Sequence, residues 1–469
     1  MALVTALLIS GCGQSEPGHS RVTSVTSPTG SPWTGIGAGW TELPSPPEVR
    51  DGAAYVWTGD ELLAWGGVAP GSSDYAPTSD GYAFDPATTS WTSIPPSPLP
   101  GKYAQAAWTG GEAIFFGVGT DQARWQGEAF DPGTETWRVI SQTPLAPRGG
   151  DMIVWTGQEL IVWGGGKPGD PANTSGAAYD PSTDSWRMIA NAPIELNQGN
   201  AVWTGHEMLV FGSLLNDRNI ASTQAAVGAE YDPATDTWYP MPPSGLSPQA
   251  DSAVWIGGNG LLAWDYDVQA QVGDMHAQAH DGASNTWGDM QQMPLEPEEC
   301  YPDSTVVTNA DGTTVFAWYC GQAAIWDSVT GDWQRVHGGV TEPRIEANGG
   351  KYALYRFANL VAAGDVVVLP AEGVTTTNDG EPCYGCPGAP SSLWAYRPPS
   401  DAPTPAELAP PTFAPANGWN TISTSTDPRV VDPEVAPTAW AANVPFDPGD
   451  WPATPPTRRS LNRASRTTR

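Results

Sequence analysis

Several charged and amide side chains stand a few residues before successive short apolar runs. Arg50 and Arg148 occupy matching positions, each seven residues before a tryptophan, Trp57 or Trp155. Basic residues are scarce in this chain, and two guanidinium groups brought together would bind a carboxylate or a sugar. The alternative is that each Arg caps or bridges neighbouring structural units. The other members of this candidate ligand-binding set are Asp51, Lys102, Asp151, Gln249, Asp251 and Arg344.

Catalytic motifs are hard to find in the sequence. His276 and His280 lie on one face of a predicted strand, but His280 replaces a repeated aromatic residue and is expected to pack in the core. No phosphate-binding loop, nucleophile elbow or HExxH zinc motif is present. We therefore name no catalytic residue, expect no cofactor or metal, and lean against an enzyme.

Four of the five cysteines are expected to form disulfides. Cys300 and Cys320 flank a predicted hairpin, and antiparallel pairing would place them nearly opposite each other. Cys383 and Cys386 form a lone CxxC motif, for which a local disulfide is favoured over a zinc site or redox chemistry. These four are the cysteines that follow Cys12, and an even number of cysteines in an exported protein permits such disulfides.

The start of the chain resembles the signal of bacterial, actinobacterial-type lipoproteins. A short apolar run, 2–9, leads into Ile9-Ser10-Gly11-Cys12, and Cys12 would be lipidated. No Lys or Arg precedes Cys12, which suggests a misplaced start codon, and the alternative is a chance Cys in an apolar leader. We expect a signal peptide at 1–11, a Ser-, Gly- and Pro-rich tether at 12–36, and attachment to the outer face of the cytoplasmic membrane or the cell surface.

One short sequence unit recurs along the chain. It reads aromatic-Asp-Pro, then Thr, then Trp, as in Phe84-Asp85-Pro86 followed by Trp91. Its copies begin at Phe84, Phe130, Tyr179 and Tyr231, with weaker copies at His280 and Trp326. Self-similarity at a period of about fifty residues indicates a repeat architecture. Each unit, for example 149–193, reads as four short strands a, b, c and d separated by turn residues.

Counting the strands predicts seven blades. A Trp begins each predicted d strand: Trp40, Trp91, Trp137, Trp186, Trp238, Trp287 and Trp333. Seven a–b–c sets match them, but the last set has no d strand after it and Trp40 has no set before it. The N-terminal d strand would therefore complete the last blade and remove open sheet edges. The fold class is all-β, and six blades, the alternative, would leave one piece unpaired.

The repeat resembles that of the kelch family, in which an apolar strand and a double Gly precede Tyr and Trp with six residues between them. Tyr179 and Trp186 keep that spacing, and the double Gly occurs at Gly66-Gly67 and Gly164-Gly165. The resemblance covers residues 37–400 and implies a β-propeller like that of galactose oxidase. Its functional implication is weak, because such propellers serve as binding scaffolds, structural proteins and a few enzymes.

The variable connections are expected to lie on one side of the propeller. In a four-stranded meander the b–c and d–a connections leave on the same face, which is where binding is expected. The candidate set would line the channel mouth there, and the repeated Asp-Pro-x-Thr-x-x-Trp motif would lie on the opposite face. Further candidates in the b–c loops are Asp74, Tyr75, Arg124, Trp125, Asp217, Arg218, Tyr266 and Asp267.

Charge and the C-terminal region complete the expectations. The net charge is −31, with five Arg in the last twelve residues, so the rest of the chain repels nucleic acid. We expect a Pro/Ala-rich linker at 401–417, a small segment at 418–452 and a disordered basic tail at 453–469. The predicted function is a lipid-anchored, monomeric scaffold for a glycan, peptide or protein. The alternative is a carbohydrate-active enzyme, a sugar isomerase or lyase similar to sialic acid epimerases.

Overall fold

The computed structural model describes the propeller strand by strand. The described residues are 31–48, 50–69, 76–118, 126–148, 151–166, 173–196, 198–213, 226–247, 250, 252–258, 260–266, 275–295, 304–308, 312, 314–319, 322–328, 330–336, 344–347, 350–353, 355–357, 360–376, 382–384 and 392–398. They contain strands and turns but no helix, and hence no helix that could span a membrane. All described strands belong to one compact unit that begins at Pro32.

Six blades are four consecutive antiparallel strands each. Blade 1 is β2 (Ala54–Trp57), β3 (Leu62–Trp65), β4 (Gly81–Asp85) and β5 (Ser90–Ile94). Blade 2 is β6 (Gln105–Trp108), β7 (Ala113–Val118), β8 (Gln126–Asp131) and β9 (Thr136–Val139). Blade 3 is β10 (Met152–Trp155), β11 (Leu160–Trp163), β12 (Gly176–Asp180) and β13 (Ser185–Met188).

The next three blades repeat this order. Blade 4 is β14 (Gln198–Trp203), β15 (Met208–Ser213), β16 (Val227–Asp232) and β17 (Thr237–Pro240). Blade 5 is β18 (Ser252–Trp255), β19 (Gly260–Tyr266), β20 (Met275–Asp281) and β21 (Thr286–Trp287), with β22 (Gln291–Gln292) also pairing with β20. Blade 6 is β23 (Ser304–Thr308), β24 (Thr314–Tyr319), β25 (Gln322–Asp327) and β26 (Asp332–Val336).

The seventh blade joins the two ends of the propeller. Its strands are β30 (Val361–Ala363), β31 (Val366–Thr376), β33 (Ser392–Arg397) and the N-terminal β1 (Gly39–Leu43). The outer pair runs from Gly39 opposite Arg397 to Leu43 opposite Leu393. The prediction of seven blades closed by an N-terminal d strand is therefore confirmed. The sequence did not predict the accessory strands β27 (Arg344–Ala347), β28 (Gly350–Ala353), β29 (Tyr355–Phe357) and β32 (Pro382–Tyr384).

The innermost strands form a closed ring. Neighbouring a strands contact each other in the order β2, β6, β10, β14, β18, β23, β30 and back to β2. Among the described residues, seven clusters of buried apolar side chains lie between blades, one at each junction. The blades are thus held together by burial of apolar area between adjacent sheets.

The packed part of the chain extends further toward the N-terminus than the predicted boundary at residue 37. Trp33 is fully buried at the junction of blades 7 and 1, where its ring lies 5.3 Å from that of Trp57 and 6.0 Å from that of Phe84. Its indole N–H donates to Ala363 O at 2.8 Å, and Arg397 Nη2 donates to Trp33 O at 2.9 Å. Trp33 therefore helps to close the ring.

The repeated Asp-Pro-x-Thr-x-x-Trp motif builds the c–d turn and ties the blades together. In blade 3, Asp180 accepts hydrogen bonds from the Ser182 N–H and the Thr183 hydroxyl, at 2.8 and 2.9 Å. The indole N–H of Trp186 donates to Ser141 O of blade 2 at 2.8 Å. The same indole bond is made by Trp91, Trp137, Trp238 and Trp287. The motif is structural, as its predicted place suggested.

An arginine relay reinforces two of the junctions. Arg138 donates to both carboxylate oxygens of Glu112, at 2.9 and 2.6 Å, and to the Tyr179 hydroxyl of the next blade. Arg187 and Glu159 make the same bidentate pair within blade 3, and Arg187 also bonds to Tyr231 of blade 4. At the next junction Tyr239 takes the place of the arginine.

Candidate functional site

The propeller presents two different faces. The a–b turns on one face are uniform, because Thr58, Thr109, Thr156 and Thr204 each bridge their turn with the side-chain hydroxyl. We call this side, with the c–d turns, the turn face. The opposite side carries the d–a connections and the b–c loops, and we call it the variable face. The predicted b–c loop residues lie outside the described part of the chain, except Tyr266, of which only the backbone at the end of β19 is described.

Arg50 is on the variable face but its guanidinium is directed into its own blade. Its side chain is 3% exposed and is paired with Glu48 and Asp80, at 2.9 and 2.6 Å. Nη1 also donates to Gly66 O and Asp80 O, at 3.5 and 2.8 Å. The guanidinium carbon lies 5.2 Å from the centre of the Tyr82 ring. Arg50 therefore binds the ends of strands b and c to the d–a connection.

Arg148 makes the same bracket in blade 3. Its Nη1 donates to Gly164 O and Ser175 O, each at 3.1 Å. Gly164 and Ser175 correspond to Gly66 and Asp80, because each pair follows strand b and precedes strand c. The alternative considered for these arginines, a structural bridge, describes their contacts better than a shared clasp on a ligand.

The bracket explains the double glycine at the end of strand b. Gly67 has φ of +81°, and a Cβ on it would lie 2.9 Å from both Arg50 Cβ and Asp51 O. Any side chain there would push the d–a connection away. The kelch-like double Gly is therefore required by close backbone approach as well as by its left-handed conformation.

Tyr103 is the most unusual residue at the channel mouth. Its φ is +54°, a left-handed conformation that costs a non-glycine residue about 1–3 kcal/mol. The corresponding residues of blades 1 and 3 are Gly52 and Gly150. The Tyr103 hydroxyl donates to Asp51 Oδ2 at 3.2 Å, and its ring fills the space beside Gly52. Asp51 is buried at 4% exposure, so two d–a connections meet through this pair.

Asp151 lies on the other side of the same mouth. It precedes β10, is 6% exposed, and its backbone carbonyl accepts a hydrogen bond from Gln105 Nε2 of blade 2. Burial raises the pKa of Asp151 to about 7, although the charge of Arg148 opposes this. Its Oδ2 is buried and makes no hydrogen bond with a described residue. Asp151 is therefore a carboxyl group that exchanges protons near neutral pH.

The predicted set is brought together only in part. The structure places Asp51, Lys102 and Asp151 around the entry to β2, β6 and β10, with Lys102 half-buried beside Tyr103. Gln249 and Asp251 lie outside the described residues, and of Arg344 only the backbone in β27 is described. Tyr103 and Gln105 were not among the residues predicted from the sequence. Aligning the d–a connections would have revealed Tyr103 as the one aromatic residue at a glycine position among these three blades.

The histidines and cysteines add no metal centre. Within the described residues no group of three or more His, Cys, Asp or Glu side chains could hold a metal ion. His280 is buried and packs against Trp287 with ring centres 5.0 Å apart, which confirms its predicted place in the core. Cys12, Cys300, Cys320 and Cys386 lie outside the described residues, and of Cys383 only the backbone in β32 is described. The lipidation and the two disulfides remain predictions.

Comparisons with known proteins add little to this picture. No family model and no curated protein sequence matches the chain. Among solved structures the chain is similar to one described as "Structure of YjhT", with 15% sequence identity and a TM-score of 0.42. The match covers 75% of this chain and 96% of that one. The seven-bladed fold rests on the strand pairing described above, and the site on its own geometry.

Proposed function

We propose that the chain is an exported, lipid-anchored propeller of the kelch type that binds a glycan, a peptide or a protein through its variable face. The observation that carries the proposal is the strained backbone conformation of Tyr103 and its hydrogen bond to Asp51. Tyr103, with its left-handed backbone and its hydroxyl bonded to buried Asp51, joins an aromatic ring to a hydrogen-bond acceptor at the mouth. An aromatic ring with polar groups at its edge is suited to recognition, since one residue supplies both apolar area and a hydrogen bond.

The strain at Tyr103 supports a binding role over a purely structural one. Gly52 adopts the left-handed conformation at the equivalent position of blade 1 without that cost, and the sequence has Gly150 at this position of blade 3. Backbone strain of this kind persists where the surrounding structure enforces it, and it clusters at ligand-binding sites. A structural bridge to Asp51 alone would be obtained more cheaply by an unstrained polar residue.

The binding proposal is tested with the full chain carrying Cys12→Ser, so that it is secreted without the anchor. Binding of this otherwise wild-type protein to an array of glycans and to a peptide library first identifies its ligands. Tyr103→Gly, which takes the residue of blades 1 and 3, is expected to weaken any ligand bound at the mouth at least tenfold. Tyr103→Phe separates the ring from the hydroxyl, and Tyr239→Phe, on the outer strand of blade 4, is the control. Unchanged binding by both Tyr103 variants would place the site elsewhere.

The anchor is tested separately. Cells expressing the wild-type chain should incorporate labelled palmitate into this protein, and Cys12→Ser should abolish the label. Label retained by the Cys12→Ser variant would overturn lipidation at that residue. A loss of label together with unchanged ligand binding would show that anchoring and recognition are independent.

The alternative, a carbohydrate-active enzyme, is favoured by Asp151. A carboxyl group whose pKa is about 7 can donate or accept a proton at neutral pH, as sugar isomerases and lyases require. NMR of sugars incubated with the protein would detect isomerisation or elimination. Asp151→Asn should then lower kcat by at least 100-fold with little change in binding. If the wild-type protein binds sugars without converting them, the enzyme alternative is refuted and only the scaffold function remains.

A further inference from the structure

Blade 5 departs from the bracket that Arg50 and Arg148 make in blades 1 and 3. The residue seven before its tryptophan, Trp255, is Pro248 in place of arginine. The strand register shows the other changes. Trp264 is paired with Ala277 as Trp163 is with Gly176, so Asp265 and His276 occupy the places of Gly164 and Ser175. A carboxylate therefore replaces a glycine, and an imidazole replaces a residue, Asp80 or Ser175, whose carbonyl and side chain both accept from the arginine.

Asp265 takes over the structural part of the bracket. Its side chain is 5% exposed, and Oδ2 accepts a hydrogen bond of 2.6 Å from the Ser247 N–H in the d–a connection. The bond joins the end of strand b to that connection, as the arginine does in the other blades. Burial raises the pKa of Asp265, while the Ser247 N–H and the charge of His276 oppose the rise. The anchor is complete without the imidazole.

His276 is placed for a different task. It is directly opposite Asp265 in the antiparallel register, with Nδ1 3.7 Å from Asp265 Oδ1, an oxygen that is buried and makes no hydrogen bond with a described residue. The imidazole is 32% exposed on the variable face. From β22, the residue opposite His276 is the uncharged Gln292. At this distance the contact is an ion-pair contact and not a hydrogen bond, so the buried carboxylate favours the ring orientation with Nδ1 toward it through its charge.

We propose that His276, oriented by Asp265, is a proton-accepting site on the variable face for the hydroxyl group of a ligand. The hydroxyl proton passes to Nε2, and the oxygen keeps the bonding electron pair. The imidazolium that forms is stabilised by the charge of Asp265, whose Oδ1 lies 3.7 Å from Nδ1. This site is on blade 5, so its test is independent of Tyr103 and of the binding proposal above.

The test uses a reactive ester, p-nitrophenyl acetate, because the unprotonated nitrogen of an imidazole attacks such esters. Nε2 of His276 bonds to the acetyl carbon, the C–O bond breaks, p-nitrophenolate leaves with that electron pair, and the ring loses its Nδ1 proton to water. Water then hydrolyses the acetylimidazole to acetate and restores the histidine. With the full-length protein, His276→Gln should lower p-nitrophenolate release at least fivefold at neutral pH. His206→Gln, on the turn face, is the matched control and should leave the rate unchanged.

Melting temperatures separate this role from a structural one. His276→Gln should melt within about 1 °C of the wild type, because the Asp265 anchor remains in place. Asp265→Asn should lower both the melting temperature and the rate of ester cleavage. The proposal is overturned if His276→Gln keeps the wild-type rate, or if it melts as early as Asp265→Asn. Should Asp265→Asn fail to fold, the comparison of His276→Gln with His206→Gln still decides.

Discussion

Glu128 is a buried carboxyl group that should make the stability of the propeller depend on pH. It is on β8 with no exposed surface, and burial raises its pKa from 4.5 to about 7. The Ser97 hydroxyl and the Leu99 N–H lower the pKa only partly, and neither carboxylate oxygen has a hydrogen bond of good geometry with a described residue. Blade 5 has Gln278 at the corresponding position, bonded to Gly245 N and Gly288 O at 2.8 Å each.

The perturbation is Glu128→Gln, and its sign follows from the raised pKa. A carboxyl group whose pKa is higher in the folded state is neutral in both the folded and the unfolded state well below pH 4.5. It does not lower the free energy of unfolding there. As the pH rises through 7 the folded protein must bury a charge. The difference between 4.5 and about 7 corresponds to about 3 kcal/mol, reached above pH 7. Glutamine carries no charge, so the variant should be the more stable by up to that amount at pH 8.

Urea unfolding followed by tryptophan fluorescence measures this difference at pH 4.5, 6 and 8. The free energy of unfolding of Glu128→Gln relative to the wild type should grow steadily across the series. Glu42→Gln on the exposed face of β1 is the control and should show no such growth. A Glu128→Gln difference that is constant or shrinks with pH would refute the assignment of a buried neutral carboxyl group.

Three further changes test the junctions between blades. Tyr239→Arg should pair with Glu207, restore the arginine relay and raise the free energy of unfolding by about 0.5–1 kcal/mol, seen as a higher melting temperature. The added substitution Glu207→Gln should remove this gain. Trp33→Ala should destabilise the ring closure by about 3–5 kcal/mol in urea unfolding, and a loss below 1 kcal/mol would show that β1 closes the ring without it. Trp186→Phe removes the indole bond to Ser141 O and should cost about 1 kcal/mol, seen as an earlier unfolding midpoint, and an unchanged midpoint would contradict the bond.

Most of the fold was predictable because short-range sequence patterns specify its strands and turns. Strand pairs such as β10 and β11 are recognisable from alternating apolar runs and a Thr-Gly turn between them. The closure by β1 followed from counting Trp-led strands. The accessory strands β27 to β29 were missed, because they carry neither the repeat motif nor its turn residues. Trp33 was assigned to the tether, because burial of a single ring by three distant residues leaves no local pattern.

The candidate site was much less predictable than the fold. Arg50 and Arg148 were correctly seen as equivalent, but only the structure shows that their guanidinium groups meet the backbone carbonyls of Gly66 and Gly164. Side-chain direction at the end of a connection depends on which distant groups are near, and spacing in the sequence does not encode it. Tyr103 is a candidate because of its positive φ, a backbone angle that tyrosine disfavours and that the sequence does not reveal.

The amino-acid sequence by itself determined the number of blades, the order of the strands and the face on which the connections vary. These properties follow from repeated local preferences, each satisfied within about fifty residues. Tertiary structure decided which polar groups are buried and which polar groups meet at the mouth, because the a strands of seven blades converge on one ring. Asp151 of blade 3 meets Gln105 of blade 2, and Asp51 of blade 1 meets Tyr103, only through that convergence.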